Sequence, residues 1–207
     1  MKINDLKEAF AEKANADNAQ HMAKYMRNQF VFYGLKTPER KNAYHQFLKE
    51  EKKKKQIDCD LLDQAWNDEH REMQYFVYDY LLAMKKYVSY DDLFRIEHYV
   101  RTKQWWDTID SLVKIYGYVG LKDKRVDQLM LKWSKDPDKW VRRVAIEHQL
   151  LRKDKMNEIL LSKIIENNLD SNEFFINKAI GWALRDYSKT NPDWVNDFIT
   201  RYYDCIL

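Results

Sequence analysis

The scarcity of glycine and proline is the feature that most constrains this chain. Only four Gly and three Pro occur in 207 residues, and the alternation of β-branched and polar residues that marks a strand is nearly absent. Because these two residues interrupt regular structure, such a chain favours helices joined by short loops. A hydrophobic content of 45% is enough to bury a sizeable core. The sequence therefore predicts an all-α protein.

The hydrophobic periodicity predicts about twelve helices. A first amphipathic helix begins near Leu6, and residues 21–28 belong to a second. In residues 37–40 (TPER), Thr37 is the expected N-cap and a proline follows at the first helical position, so a long third helix starts there. It runs into the lysine cluster 52–55, which we interpret as a solvated helix end. Further helical patterns cover about residues 58–67, 69–86, 90–102, 106–118, 122–135, 138–152, 155–169, 173–187 and 192–204.

The regular succession of short helices favours a helical array. A short helix cannot bury the apolar stripes of its neighbours alone, so we predict an α-solenoid of about six HEAT-like antiparallel helix pairs in one domain, 1–207. Stacked pairs create a concave surface on which a duplex could lie. No fixed-period repeat is visible in the sequence, so an irregular helical bundle is the alternative.

The charge balance is weak evidence about partners. The 36 basic residues nearly cancel the 33 acidic ones, which leaves a formal net charge of only +3. Phosphate neutralisation depends on the local density of basic residues and not on their sum. A nucleic-acid partner therefore requires basic residues that are collected on one face.

Several common classes of site have no support in the sequence. Cys59 and Cys205 are far apart and lie in no C-x-x-C motif, which favours two reduced thiols over a disulfide or a zinc ribbon. The five histidines lack the spacing of a metal site, and the chain has no P-loop, G-x-G-x-x-G or G-x-S-x-G motif. No apolar run approaches the roughly 18 residues that cross a bilayer. We therefore expect a soluble, cytoplasmic protein.

Trp106 and Asp110 form the first candidate constellation. They lie four residues apart in the segment KQWWDTID (103–110), so an aromatic face and a carboxylate share one side of a helix. Together they could hold a cation. The structural alternative is that Trp106 packs in the core and Asp110 caps a neighbouring turn.

Two adjacent arginines form the second candidate. The segment WVRRVAI (140–146) places Arg142 and Arg143 between apolar anchors, and the two side chains point in different directions. One arginine can reach a phosphate while the other is solvated or ion-paired. The alternative is ordinary surface charge on an amphipathic helix.

Gly181 interrupts an otherwise strong helical pattern at 173–187, next to Trp182. Glycine inside a helix costs about 1 kcal/mol relative to alanine, so it usually lets something approach the backbone closely. We expect close helix packing there in preference to ligand access. Trp182 can belong to the core or reach a groove.

Aromatic and basic residues are interleaved near the N-terminus. In HMAKYMRNQF (21–30), Tyr25 lies between Lys24 and Arg27, a mixture that suits a nucleic-acid surface. A core-packed tyrosine with Lys and Arg stems along its surface is an equal alternative.

Four stretches together resemble the HEAT-like-repeat alkylpurine DNA glycosylases of the bacterial AlkD type. The resemblance runs from about residue 5 to residue 200, and the combined order and spacing of the stretches are far more specific than any one of them. They are MAKYMRNQFVFYGLKTPER (22–40), TKQWWDTID (102–110), WVRRVAIEHQL (140–150) and EFFINKAIGWALRDYSKTNPD (173–193).

The resemblance implies a set of site residues. Asp110, Trp106 and Trp182 fall on the active-site positions of the family, Arg143 falls on its DNA-contacting arginine, and Tyr25 falls on a residue beside the partner strand of the lesion. The DNA-binding residues that we predict are Lys24, Tyr25, Arg27, Thr37, Arg40 and Arg143.

The resemblance also implies an activity. Family members act in base-excision repair and hydrolyse the N-glycosidic bond of cationic N3- or N7-alkylated purines in duplex DNA, without a base-flipping pocket. The expected partner is therefore double-stranded DNA that contains alkylated purines. No metal or cofactor is implied. We expect a monomer in the bacterial cytoplasm, associated with the nucleoid when it is bound to DNA.

Two other functions stay open on the sequence. One is a non-catalytic DNA-binding paralogue, against which the retained Asp110, Trp106 and Trp182 argue. The other is a protein-interaction scaffold, because helical solenoids most often present their concave surface to other proteins. Basic and aromatic residues on the concave face favour DNA, whereas an exposed apolar groove favours a protein partner.

Overall fold

The chain folds as an all-α protein, as the sequence predicted. The computed structural model describes residues 2–203, which form twelve α-helices, two 3₁₀ turns and no β-strand. The 3₁₀ turns are Lys85–Tyr87 and Lys153–Lys155. The helices are α1 (Ile3–Ala11), α2 (Ala16–Tyr25), α3 (Thr37–Lys54), α4 (Cys59–Asn67), α5 (Arg71–Met84), α6 (Leu93–Arg101), α7 (Trp106–Gly120), α8 (Arg125–Trp133), α9 (Lys139–Glu147), α10 (Glu158–Glu166), α11 (Phe174–Tyr187) and α12 (Pro192–Arg201).

The second helix differs most from its predicted position. It begins at Ala16, because the side chain of Asn15 accepts a hydrogen bond of 2.9 Å from the backbone N–H three residues further on. It ends at Tyr25, three residues earlier than predicted. Arg27 and Asn28 adopt left-handed φ angles of 56° and 55°, which stop the helix.

The third helix begins one residue earlier than predicted. Thr37 is its first residue, and Lys36 takes the N-cap position with its N–H donating to the Glu39 carboxylate at 3.0 Å. The helix ends at Lys54, and Lys55 turns the chain with a left-handed φ of 56°. The lysine cluster 52–55 is exposed, as expected of a solvated helix end.

The chain divides into two compact units. The first ends at Val88 and the second begins at Ser89. The boundary follows the 3₁₀ turn Lys85–Tyr87. No glycine or proline occurs near this point, so the sequence carries no composition signal for it.

In the first unit, the loop that leads into α3 is held by Glu72. Its carboxylate accepts hydrogen bonds from the backbone N–H groups of residues 33–35, at 2.8–3.1 Å. Gly34 has a φ of 90°, and a Cβ atom there would lie 2.1 Å from the carbonyl oxygen of Asn15. Only glycine fits this approach. These contacts fix the loop and therefore the position of the first turn of α3, at Thr37.

In the second unit, α9 lies at the centre. It packs against α6, α7, α8, α10 and α11, so nearly its whole surface is covered. Two charged side chains, Arg143 and Glu147, are buried with the apolar ones. A buried charge is stable only when it is paired and hydrogen-bonded, so these two residues need partners.

Three further findings concern expectations from the sequence. Within residues 2–203, no helix is both long and apolar enough to cross a membrane. In the same range, no group of three or more His, Cys, Asp or Glu side chains could hold a metal ion. Cys59 begins α4, and Cys205 lies outside the described residues.

Candidate active site

Arg143 is the centre of the candidate site in the second unit. Its side chain is only 1% exposed and joins three helices. On the α7 side, Nε and Nη2 donate to the two carboxylate oxygens of Asp110, at 2.8 and 3.1 Å. On the α11 side, Nη1 donates to the carbonyl oxygen of Phe175 at 2.6 Å. This bidentate arrangement holds the Asp110 carboxylate in one orientation.

The burial of Arg143 bears on the expectation that it contacts DNA directly, which stays a prediction. We predicted that its guanidinium binds a backbone phosphate. In the structure every side of that group faces protein. An arginine that is removed from water donates its hydrogen bonds to protein acceptors. Of the two neighbouring arginines, Arg143 is the ion-paired one. Arg142 is half-buried, and its Nη1 donates to the Asp136 carbonyl at 3.3 Å.

Asp110 and Trp182 lie on the accessible side of this arginine. The Asp110 side chain is 22% exposed, so its carboxylate is bound by Arg143 and still open to solvent. The Trp182 ring is 37% exposed, and the Arg143 guanidinium lies 5.1 Å from its centroid. Trp106, one turn before Asp110 on α7, is half-buried. The structure therefore groups Asp110 and Trp182 around Arg143, with Trp106 on the adjoining turn.

The ion pair with Arg143 decides between the two interpretations of Asp110. Its carboxylate accepts hydrogen bonds from Arg143 of α9 and does not cap a neighbouring turn. Trp105, directly before α7, is half-buried like Trp106 and packs against other aromatic rings. Its ring lies 5.6 Å from that of Trp140 and 5.3 Å from that of Phe175. This cluster packs the start of α7 against α9 and α11, which brings Asp110 within reach of Arg143.

Glu147 is a member of the site that the sequence did not single out. It lies four residues after Arg143 on α9, and its Oε1 is 2.7 Å from Arg143 Nη2. This contact is an ion pair without the geometry of a hydrogen bond. Neither carboxylate oxygen of Glu147 has a hydrogen-bond partner in the described part of the chain. Burial, and then the nearby charge of Asp110, raise the pKa of Glu147 to about 8. The signal in the sequence was a carboxylate four residues after an arginine, among the apolar residues of the same helix.

A protonated Glu147 leaves the site with balanced charge. At neutral pH Glu147 is therefore protonated and uncharged. The single positive charge of Arg143 then faces one negative charge, that of Asp110. The negative charge of the buried cluster therefore lies on the carboxylate that solvent can reach.

Gly181 does not have the packing role that we expected. A Cβ atom at Gly181 would meet no atom of residues 2–203 within 4 Å, so no described helix requires a glycine there. By contrast, a Cβ atom at Gly117 would lie 2.5 Å from the carbonyl oxygen of His148. Gly117 is a packing glycine, and Gly181 lies on the open face of α11.

Four of the residues predicted to bind DNA in the first unit are exposed. Lys24, Arg27 and Thr37 lie on the surface, and Tyr25 is 72% exposed. The alternative of a core-packed Tyr25 is therefore wrong. These residues belong to the end of α2 and the start of α3.

Arg40 is the exception among these residues. It is 4% exposed, and its guanidinium binds Asp79 at 3.1 Å and Tyr44 Oη at 3.2 Å. The same group lies 4.6 Å from the centroid of the Tyr75 ring. The sequence predicted a DNA contact for Arg40, in the charged first turn of α3. The helix turns its side chain inward, which makes it a structural residue of the first unit.

The fold and the site together define a class: an all-α protein with an accessible carboxylate held by a buried arginine beside an exposed tryptophan. The chain belongs to the DNA alkylation repair enzyme family, whose model matches residues 6–205. Its role is therefore in the repair of alkylation damage in DNA.

A solved structure supports this membership. The predicted DNA alkylation repair enzyme from Enterococcus faecalis is similar to this chain, with a TM-score of 0.83 and 36% sequence identity. The match covers 91% of this chain and 89% of that chain. The comparison with curated proteins returned no match.

Proposed function

We propose that this protein is a DNA glycosylase that removes cationic N3- and N7-alkylated purines from duplex DNA. The observation that carries the proposal is the Asp110 carboxylate, fixed by Arg143 and open to solvent beside Trp182. A fixed negative charge next to an aromatic face suits a positive charge that develops on a bound sugar. Membership of the DNA alkylation repair enzyme family supports alkylated DNA as the substrate.

The reaction does not require the protein to protonate the departing base. An N7-alkylated purine carries a formal positive charge, so its bond to C1′ breaks without a general acid. The electron pair of that bond moves to the purine and neutralises it, and the sugar becomes an oxocarbenium-like cation. Asp110 stabilises this cation and orients a water molecule, whose oxygen adds to C1′ and whose proton is released to the carboxylate or to solvent.

The two tryptophans assist the same step. The faces of Trp106 and Trp182 attract a cationic sugar, and each contributes about 0.5–2 kcal/mol on the cation–π scale. In this proposal Arg143 is a positioning residue, because it binds Asp110 and not the substrate. Selectivity follows from the lability of the charged lesion itself, so no pocket specific for the base is required.

The test is base release from a duplex that carries one N7-methylguanine, under single-turnover conditions. We expect release by the wild type and a rate about 100–1000-fold lower for Asp110→Asn, because the amide removes the charge that stabilises the transition state. Affinity for the duplex should be nearly unchanged.

Asp123→Asn provides a matched control. Asp123 pairs with Arg125 in the same unit at 2.7 Å, but on the surface, so its loss should leave base release unchanged. An Asp110→Asn rate equal to that of the wild type would refute the mechanism. No release by either protein, with duplex binding retained, would identify a non-catalytic DNA-binding protein.

A further inference from the structure

Among the described residues 2–203, no helix packs against one face of α11. The buried residues of α11 cluster on the opposite side, and an α-helix advances about 100° per residue. At that spacing four exposed residues fall within roughly 60° of one another. We call this face the α11 track, and its residues are Phe174, Lys178, Gly181 and Arg185.

Gly181 lies in the middle of the α11 track, where no contact with the described residues requires a glycine. A glycine at a helix interior lowers helix stability relative to alanine. Within the described residues, no atom lies close enough to Gly181 to exclude a side chain. The bare backbone at Gly181 leaves room for an outside molecule to approach the helix.

The charges of the α11 track suit a phosphodiester strand. Lys178 Nζ lies 5.7 Å from the centroid of the Phe174 ring and 5.1 Å from that of Trp182. Lys178 precedes Gly181 and Arg185 follows it, so one cation lies on each side of the open backbone. The track also adjoins Trp182 and hence the site at Asp110.

We propose that the α11 track holds the sugar-phosphate backbone of a bound DNA strand, and that Gly181 lets this strand lie directly against the helix. Lys178 and Arg185 then bind successive phosphates, which position the nucleotide between them over Trp182. This inference rests on the proposed function, because it takes duplex DNA as the ligand at Trp182.

The experiment measures thermal stability and duplex affinity in Gly181→Ala and Gly181→Leu. The probe is a fluorescent duplex with one abasic-site analogue, from which no base can be released. We expect Gly181→Ala to melt about 2–4 °C higher than the wild type, since alanine favours the helix. We expect its affinity to fall about tenfold, and that of Gly181→Leu to fall further, because the added atoms push the strand away.

Three control variants sharpen the result. Asn177→Ala changes an exposed residue of the same helix on the side away from Trp182, and should bind as the wild type does. Gly117→Ala changes the packing glycine and should melt at a lower temperature. Lys178→Gln should reduce the slope of log affinity against log salt by about one, as for the loss of one phosphate contact.

The outcomes separate this proposal from the proposed function. Normal affinity in both Gly181 variants, or a lower melting temperature for Gly181→Ala, would overturn the α11 track even if the wild type releases N7-methylguanine. Weakened binding with a higher melting temperature would support the track even if the wild type releases no base, in which case only the glycosylase proposal fails.

Discussion

At the scale of single residues, the buried cluster of Asp110, Arg143 and Glu147 is the unusual feature of the second unit. It combines one cation with two acids, and two ionised carboxylates on one guanidinium would leave excess negative charge in the protein interior. Because Glu147 is buried more deeply than Asp110, the proton resides on Glu147. Its ionisation state therefore links the stability of the fold to pH.

Glu147→Gln tests this link. The pKa of Glu147 is about 8 in the folded protein and near its ordinary value of 4.5 in the unfolded chain. Between these pH values the folded state keeps a proton that the unfolded state has released, so stability is full below about pH 4.5 and falls as pH rises toward 8. Glutamine does not titrate. We expect the stability of the variant relative to the wild type to rise by about 2–4 kcal/mol from pH 5 to pH 8, measured by urea unfolding.

Glu166→Gln is the control for this prediction. Hydrogen bonds from Ser162 and Tyr202 lower the pKa of Glu166, so neither its folded nor its unfolded form titrates between pH 5 and 8. Its difference from the wild type should be constant over that range. The same constancy for Glu147→Gln would contradict the assignment of the proton to Glu147.

At the scale of helices and loops, the ends of helices were less predictable than their centres. Periodicity located the helices because the apolar face of each is a local pattern. Helix ends depend on backbone conformations that several residue types can adopt when the surrounding structure holds them. Lys55 is an example, since it ends α3 in the left-handed region, where glycine is the usual residue.

Lys55→Gly should therefore stabilise the protein. Glycine reaches this conformation without strain, and after allowance for its larger unfolded-state entropy the gain is about 0.5–1 kcal/mol. Urea unfolding measures it. Lys52→Gly, within the same helix, should instead destabilise by about 1 kcal/mol. If both variants are destabilised, the left-handed turn is not a source of strain.

At the scale of the whole molecule, charge placement matters more than net charge. A formal charge of +3 is too small to explain attraction to DNA by itself. The salt dependence of binding counts the phosphates that exposed cations neutralise. The structure separates exposed basic residues such as Lys24 from buried ones such as Arg40, and only the exposed ones are available to phosphates.

The salt dependence of duplex binding distinguishes these two residues. Lys24→Gln should reduce the slope of log affinity against log salt by about one. Arg40→Met should leave the slope unchanged and lower stability, because it leaves the buried Asp79 without its arginine partner. A reduced slope for Arg40→Met, with stability retained, would restore Arg40 as a DNA contact.

The sequence by itself determined the all-α fold, the approximate positions of most helices and the pairing of Trp106 with Asp110 on one helix face. Each depends on spacing within a single segment, where periods of three and four residues relate side chains directly. The family resemblance, carried by four such segments, located Trp182 as well. Family membership over residues 6–205 agrees with that resemblance.

Only the tertiary structure decided which polar side chains are inside. The burial of Arg40 and Arg143, the inclusion of Glu147 in the site and the open face at Gly181 depend on which faces of neighbouring helices meet. An amphipathic pattern shows that a helix has a buried side, but it does not show that a charge on that side will find a partner on another helix. For Arg143 that partner is Asp110, which lies 33 residues away in the sequence and directly beside it in the fold.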